Sequence, residues 1–198
     1  MLDNTVLGRL PETLRRGVVV TDVYDRPNRR VSGTLQPPRV MRTPTHVSAP
    51  NATAPVLLET QTALALSAFN HTVSERGLGD FRVTVSGNSR YGHVGQPHAW
   101  RPHAMQALLF RHLPRGRAYS AGNSRHQSGY AIDGYFTRDG HTVSSSQAQL
   151  IARMGSLFGL SRPHSHEAWH WEFDGAVALP NIVREYYRMP LTQGPAVS

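Results

Sequence analysis

The chain has 198 residues, a length that suits one packed domain with at most a small appendage. It contains no cysteine, and all of its 21 basic residues are arginines, which excludes disulfides, cysteine-ligated metals and the lysine chemistry of Schiff bases or P-loops. The formal charge of +8 favours an anionic partner. Because the arginines are spread over the whole chain and no recognition motif accompanies them, nucleic acid is not the predicted partner.

Residues 1–55 differ in composition from the rest of the chain, since they carry seven prolines and many arginines. Within them, residues 17–24 and 30–35 flank the turn-forming sequence Asp25-Arg26-Pro27-Asn28, a pattern that predicts a β-hairpin. The Pro-rich stretch that follows is typical of an extended linker. We therefore predict an N-terminal arm over residues 1–55, acting as a tether or as an anchor to a larger assembly, and a globular domain over residues 56–198.

The globular part contains both helical and strand patterns. Apolar spacing predicts helices over residues 56–76, 100–112 and 145–158, and a closing helical turn over 181–187. Alternating apolar residues predict strands over 81–87, 130–136 and 169–173. Because the strands and helices do not alternate as regular βαβ units, the predicted fold class is α+β, an antiparallel sheet with flanking helices.

The sequence shows no signal for a membrane. No apolar run reaches the roughly 18 to 20 residues that a membrane-spanning helix needs. The first residues also lack the charged-then-apolar profile of a secretory signal. We therefore expect a protein without a membrane span or a Sec signal.

Two short segments supply side chains that suit a metal ion. The first, SRHQSGYAID, provides His126 in a Gly/Ser-rich loop and Asp133 at the end of an apolar strand. The second, EAWHW, provides Glu167 and His170. A catalytic zinc ion takes three ligands from His, Asp, Glu and Cys, leaves the fourth position to water, and lowers the pKa of that water towards neutrality. In a chain without cysteine, these two segments contain what such a site requires.

The second segment allows two interpretations. Residues 166–170 match H-E-x-x-H, the helical zinc motif, in which His166 and His170 would be ligands and Glu185 a possible third. However, aromatic residues alternate with polar ones over residues 169–173, which is typical of a strand. We favour the strand, because the helical interpretation leaves the first segment unexplained.

The two segments together resemble a known family signature. S-x-H-x-x-G-x-A-x-D beginning at Ser124, followed by E-x-x-H beginning at Glu167, is similar to the motifs of the VanY-like D-alanyl-D-alanine metallopeptidases, which are related to lysostaphin and the hedgehog domain. The resemblance spans residues from about 80 to 175. It implies that residues 56–198 form a zinc peptidase domain of that fold.

The resemblance also implies roles for individual residues. His126, Asp133 and His170 would hold zinc, and Glu167 would act as the general base. As in any hydrolysis of this kind, the base takes the proton of the attacking water and returns it to the leaving amine.

Further residues near the motifs are candidate site residues that the sequence pattern supports less strongly. Residues 85–90, VSGNSR, resemble the SGxR stretch of the family with one extra residue, which makes Arg90 a candidate for stabilising the tetrahedral intermediate. Ser124 is a candidate substrate contact, and Glu172 either orients His170 or is a solvated carboxylate. We predict that His166 is a cleft residue and that seven further histidines are surface or core residues: His71, His93, His98, His103, His112, His141 and His164.

The implied substrate is the stem peptide of peptidoglycan, and three functions remain open. The first is a phage-type endopeptidase, an endolysin or virion-associated lysin that cuts an L-Ala-D-Glu-type link. The second is a D-alanyl-D-alanine carboxypeptidase, and the third is a non-catalytic virion or wall-binding protein that retains zinc. The missing secretory signal favours the first, and the basic charge suits an anionic wall. We expect action at the bacterial cell wall, reached through host lysis or from a virion whose proteins would bind residues 1–55.

Overall fold

The computed structural model describes residues 20–22, 39–42, 49–87, 94–115, 118–174 and 178–189. The elements in chain order are β1 (Val20–Asp22), β2 (Arg39–Arg42), β3 (Leu57–Glu59), α1 (Thr60–Glu75), β4 (Asp80–Val83), α2 (His103–His112), β5 (Ala131–Arg138), β6 (His141–Thr142), α3 (Ser145–Leu157), β7 (Leu160–Ser161), β8 (His170–Phe173) and α4 (Asn181–Tyr186). None of the helices within these ranges is long and apolar enough to cross a bilayer.

The central sheet is antiparallel, with strand order β4-β5-β8-β7 and with β6 paired to the far end of β5. In the ladder between β5 and β8, Asp133 lies opposite His170. On the other side of β5, Gly134 lies opposite Val83 of β4. β1, β2 and β3 form a second antiparallel sheet in that order. The predicted α+β class is therefore confirmed, and the sheet register brings residues of both motif segments together.

Helix α1 packs against the central sheet through aromatic side chains. The ring centroid of Phe69 lies 5.4 Å from that of Phe136 on β5, 5.7 Å from that of Trp171 on β8 and 5.3 Å from that of Phe158. Phe69 is fully buried and the other three rings are nearly so. Such aromatic clusters contribute much of the apolar burial that stabilises a domain of this size. The packing fixes β5 and β8, the two strands that carry motif residues.

Several predicted boundaries differ from the structure. The helix predicted to start at residue 56 begins at Thr60, because residues 57–59 form β3 and pair with β2. The helix predicted from residue 100 begins at His103, after Pro102 in extended backbone. Of the predicted hairpin, Val20–Asp22 forms β1 and pairs with β2, and residues 30–35 lie outside the described residues.

Glu59 ends β3 and caps α1 from a buried position. Its carboxylate accepts hydrogen bonds from the backbone N–H groups of Gln61 at 2.8 Å and Thr62 at 3.2 Å. Burial raises the pKa of Glu59 from 4.5 to about 7, and the hydrogen bonds from the cap only partly oppose that shift. The helix cap thus carries a carboxylic acid that holds a proton in the folded state at mildly acidic pH.

Replacing Glu59 with glutamine should flatten the pH dependence of folding stability. Because the folded-state pKa is raised, the stabilising contribution is complete below pH 4.5 and is lost as the pH rises through 7. From pH 4.5 to pH 8, the wild type should lose about 3 kcal/mol more unfolding free energy than Glu59→Gln, measured by urea denaturation. Equal pH dependence in the two proteins would show that Glu59 titrates normally.

Candidate metal centre

β5, β8 and the loop before β5 bring three metal-ligating side chains together. Asp133 and His170 are direct cross-strand partners, and His126 lies in the preceding turn. The turn closes at Gly129, whose φ of +77° favours glycine. A Cβ at that position would come within 2.5 Å of the backbone nitrogen of Glu59, which donates to the Gly129 carbonyl. The loop that carries His126 is therefore fixed against β3.

The three side chains form a compact and buried group. His126 Nε2 lies 3.3 Å from Asp133 Oδ1, and His170 Nδ1 lies 2.8 Å from the same oxygen. One ligand atom from each residue lies within 4.8 Å of the others. In a tetrahedral site with metal–ligand bonds of 2.0 to 2.1 Å, ligand atoms are about 3.4 Å apart. The donor types and their spacing therefore fit a zinc ion.

Each histidine has its other ring nitrogen held by a hydrogen-bond acceptor. His126 Nδ1 lies 2.9 Å from the carbonyl oxygen of Ala99, and His170 Nε2 lies 3.0 Å from Glu172 Oε1. The carbonyl of Ala99 can only accept, so His126 carries its proton on Nδ1 and its Nε2 lone pair faces the shared centre. His170 lies between two carboxylates, and once it is neutral with its proton on the Nε2 side, donated to Glu172, its Nδ1 lone pair faces the same centre.

Glu172 is itself held in place. Arg125 Nε lies 3.1 Å from Glu172 Oε2, and the Arg125 guanidinium also donates to the carbonyl of Phe173. The guanidinium carbon lies 5.7 Å from the ring centroid of Tyr130. Of the two interpretations of Glu172, the structure supports the one in which it orients His170.

Removing the Glu172 carboxylate should weaken metal binding. With Glu172→Ala, His170 loses the acceptor that fixes its ring, and we expect zinc affinity to fall by about 10- to 100-fold, measured by competition with a chromogenic chelator. Glu185→Ala is the matched control, because Glu185 is exposed on α4 and is a ligand only in the helical interpretation. Unchanged affinity in Glu172→Ala would contradict the orienting role.

The electrostatics of the group favour a cation between its members. Burial alone would raise the pKa of Asp133, but His126, His170 and Arg101 together hold it well below its usual range. Burial lowers the pKa of His126. The pKa of His170 is raised to about 9, because its hydrogen bonds to Asp133 and Glu172 outweigh burial. A metal must displace the proton on His170, so its affinity should increase with pH.

Two residues that the sequence analysis did not select also face this centre. Arg101 Nη2 lies 3.4 Å from Asp133 Oδ2, and Nη1 donates to Gln106 Oε1 at 3.1 Å. His98 Nδ1 lies 3.7 Å from the same Asp133 oxygen, and burial followed by the charge of Arg101 lowers its pKa to about 4. His98, predicted as a surface or core residue, is half-buried and lies beside the buried group. Both residues lie between β4 and α2, in a segment without helical or strand periodicity.

Hydrogen bonds join this segment to the ligands. The backbone N–H of Arg101 donates to the carbonyl of His126, and the backbone N–H of Asp133 donates to the carbonyl of His98. Burial lowers the pKa of Arg101, while the negative charges of Asp133 and Glu167 oppose that effect. Glu167 thus lies close enough to influence the guanidinium.

Glu167 is half-buried in the turn before β8. Its backbone N–H donates to the carbonyl of His164 at 3.1 Å, and its carbonyl accepts from the N–H of His170 at 2.9 Å. Residues 165–169 form turns rather than a helix, so the helical H-E-x-x-H interpretation does not hold. His166 is exposed and is not part of the buried group.

The sequence predicts two further site residues, Ser124 as a substrate contact and Arg90 as a group that stabilises the tetrahedral intermediate. Ser124 is buried in the turn that leads to His126, where its carbonyl accepts from the N–H of Gln127 at 3.0 Å. Arg90 lies outside the described residues.

Comparison with known proteins gives structural matches alone, since no family model and no curated protein matches the chain. The peptidoglycan-recognising LD-carboxypeptidase LdcB aligns with a TM-score of 0.50 and 16% identity, over 85% of this chain and 84% of its own. A point mutant of the vancomycin resistance D,D-pentapeptidase VanY from a VanB-type cassette, in complex with Zn(II), aligns with a TM-score of 0.44 and 14% identity over 72% of this chain and 85% of its own. The L,D-carboxypeptidase DacB from Streptococcus pneumonia gives a TM-score of 0.41 and 16% identity over 71% and 80%. The likeness to LdcB confirms the predicted VanY-like zinc peptidase fold.

Proposed function

We propose that this chain is a zinc-dependent peptidase that hydrolyses an amide bond in the stem peptides of peptidoglycan. The observation that carries the proposal is the buried convergence of His126 Nε2, Asp133 Oδ1 and His170 Nδ1. The structure of LdcB, which supports this substrate class, concerns peptidoglycan recognition by an LD-carboxypeptidase. Metal ligands alone would also suit a storage or structural site, so the residues around them decide the chemistry.

The mechanism assigns a task to each side chain around the metal. His126, Asp133 and His170 would hold zinc, which would supply Lewis-acid chemistry and a water that ionises near neutral pH. Glu167 accepts a proton from the attacking water and returns it to the nitrogen of the leaving amine. Arg101, whose guanidinium is held by Asp133 and Gln106, donates hydrogen bonds to the oxyanion of the tetrahedral intermediate.

Arg101 takes the role that the sequence analysis gave to Arg90. Its guanidinium is oriented within 3.4 Å of a ligand carboxylate, and Glu167, the proposed base, influences its charge. A donor fixed in this way stabilises a developing negative charge without first having to reorganise. Ser124 remains a candidate substrate contact, and Arg90 remains the alternative to Arg101 for stabilising the tetrahedral intermediate.

Two activities fit the proposed site. LdcB is an LD-carboxypeptidase, which favours removal of a terminal residue from the stem peptide. Cleavage within the stem, by an endolysin or virion lysin of the L-Ala-D-Glu type, is the activity that the sequence favours. If the chain cleaves within the stem as such a lysin, it would reach the wall through host lysis or as part of a virion to which residues 1–55 would anchor it.

Mass spectrometry of digested peptidoglycan would test the proposal. Loss of one terminal alanine identifies a carboxypeptidase, and a new N-terminal D-Glu identifies the endopeptidase. The same digestion with chelated protein and after zinc is restored shows whether the metal is required. If neither fragment forms with zinc-loaded protein, the peptidase proposal is wrong, and a wall-binding or structural role takes its place.

A further inference from the structure

A second group of potential metal ligands lies on the outer side of His170. One ligand atom from each of His164, His170 and Glu172 lies within 4.8 Å of the other two. The ring centroid of His164 is 5.6 Å from that of His170, and the two ring planes are tilted by 31°. His164 and Glu172 are half-buried, so the group lies at the edge of the first centre.

The imidazole of His164 lies against two other imidazoles and close enough to Glu172 to interact with its charge. The backbone carbonyl of His164 accepts from the N–H of Glu167, which fixes the turn, but among the described residues no hydrogen bond involves its imidazole. The ring instead contacts the imidazoles of His166 and His170. The half-buried imidazole of His164 offers a nitrogen ligand of intermediate softness. Glu172 beside it offers a carboxylate oxygen that is already held in place.

We propose that His164, Glu172 and Nε2 of His170 form a second, weaker site for a divalent transition metal such as Zn²⁺. The 3.0 Å between His170 Nε2 and Glu172 Oε1 is close to the spacing of about 3.4 Å between ligand atoms in tetrahedral zinc sites. Two imidazoles and a carboxylate are donors that zinc accepts, and hard cations such as Mg²⁺ prefer sites made of oxygen.

The second site should be weaker than the first for two reasons. Glu172 already forms an ion pair with Arg125, so a metal must compete with a guanidinium 3.1 Å away. His170 must also release its Nε2 proton to solvent, which leaves an imidazolate between the two metals. The first centre does not need this second deprotonation of His170, and the guanidinium beside its carboxylate, that of Arg101, lies further away, at 3.4 Å from Asp133 Oδ2.

Occupation of the second site should inhibit the peptidase. A metal there replaces the hydrogen bond between His170 Nε2 and Glu172, which orients His170, and adds positive charge beside the first metal, so excess zinc should lower the rate. The expected inhibition rests on the proposed function, whereas the expected binding of a second metal ion does not.

Zinc stoichiometry would test the site directly. Untagged full-length protein would be dialysed against increasing free Zn²⁺, and bound zinc would be measured by elemental analysis. The wild type should bind one tight and one weaker equivalent, and His164→Ala should keep the tight one and weaken the other by about tenfold or more. His166→Ala, the neighbouring histidine of the same turn, is the matched control and should bind both.

The result that overturns the proposal is a single equivalent in the wild type or an unchanged weaker equivalent in His164→Ala. The exposed pair His71 and Glu75, 3.8 Å apart, can also bind zinc weakly, so the otherwise wild-type reference protein and every variant would carry His71→Ala. Because bound zinc is the readout, a missing second equivalent would leave the peptidase proposal untouched. Equally, an inactive protein that binds two equivalents would refute the peptidase and support the second site.

Discussion

Replacing Glu167 with alanine should abolish hydrolysis while zinc binding remains intact. Glu167 is half-buried in the turn before β8, outside the buried group of ligands, so its removal leaves every metal contact in place. The loss of a general base costs about 10²- to 10⁴-fold in rate, so kcat on purified stem peptides should fall by that amount. Bound zinc per protein, measured on the same preparation, should stay at the wild-type value.

The matched control for this prediction is His166→Ala, one residue earlier in the turn. In the helical H-E-x-x-H interpretation, His166 is a ligand and its loss would remove the metal. In the structure it is exposed and outside the buried group, so the variant should keep the tight zinc equivalent and hydrolyse stem peptides. A near wild-type rate for Glu167→Ala would show that another group accepts the proton.

The members of the metal centre could be predicted from the sequence because they lie on regular strands or next to them. Alternation over residues 169–173 predicted a strand, and β8 forms there with His170 at its first position. The sequence could not give the register, which places His170 opposite Asp133. Pairing energies between strands depend on cross-strand and same-face neighbours that one segment does not reveal.

Residues 94–102 also contribute side chains beside the metal centre. The sequence could not predict this contribution, and the physical reason differs from the one for the strand register. This segment pairs with the residues that follow β4 through an isolated bridge between Val85 and Pro97, and other backbone hydrogen bonds of the segment reach β3, β5 and the loop of His126. Such contacts leave no periodicity in the sequence. Arg101 and His98 are therefore identified as site residues from the folded structure. There the carbonyls of His126 and His98 accept backbone hydrogen bonds from Arg101 and Asp133.

The boundary near Glu59 shows the limit of helical patterns. Residues 56–76 carry apolar side chains that suit a helix, yet residues 57–59 pair with β2 and form a strand. A glutamate is an uncommon buried cap, and its position follows from the loop at Gly129 that packs against it. Local helix propensity predicts the helix, but the pairing of residues 57–59 with β2 places its start at Thr60.

Replacing Arg101 with glutamine should lower kcat by about 10²- to 10³-fold, whereas Arg90→Gln should have a smaller effect. Arg101 is held by Asp133 and Gln106 beside the metal ligands, so it can meet the oxyanion, and its positive charge does not help to bind a cation. Zinc content should therefore be unchanged, which separates this loss from damage to the metal centre. Arg101→Lys keeps the charge without the two-sided contact and should recover a small part of the rate.

Comparison of Arg90→Gln with Arg101→Gln also tests which of the two arginines stabilises the transition state. The SGxR resemblance at residues 85–90 implies that role for Arg90, whereas we propose it for Arg101, which contacts Asp133 and Gln106. Steady-state kinetics on one stem peptide would separate them, because an oxyanion donor lowers kcat whereas a residue that binds the remote part of the peptide mainly raises KM. A large loss of kcat in Arg90→Gln together with a near wild-type Arg101→Gln would return the role to Arg90. It would also mean that Arg101 serves to hold Asp133 in place rather than to contact substrate.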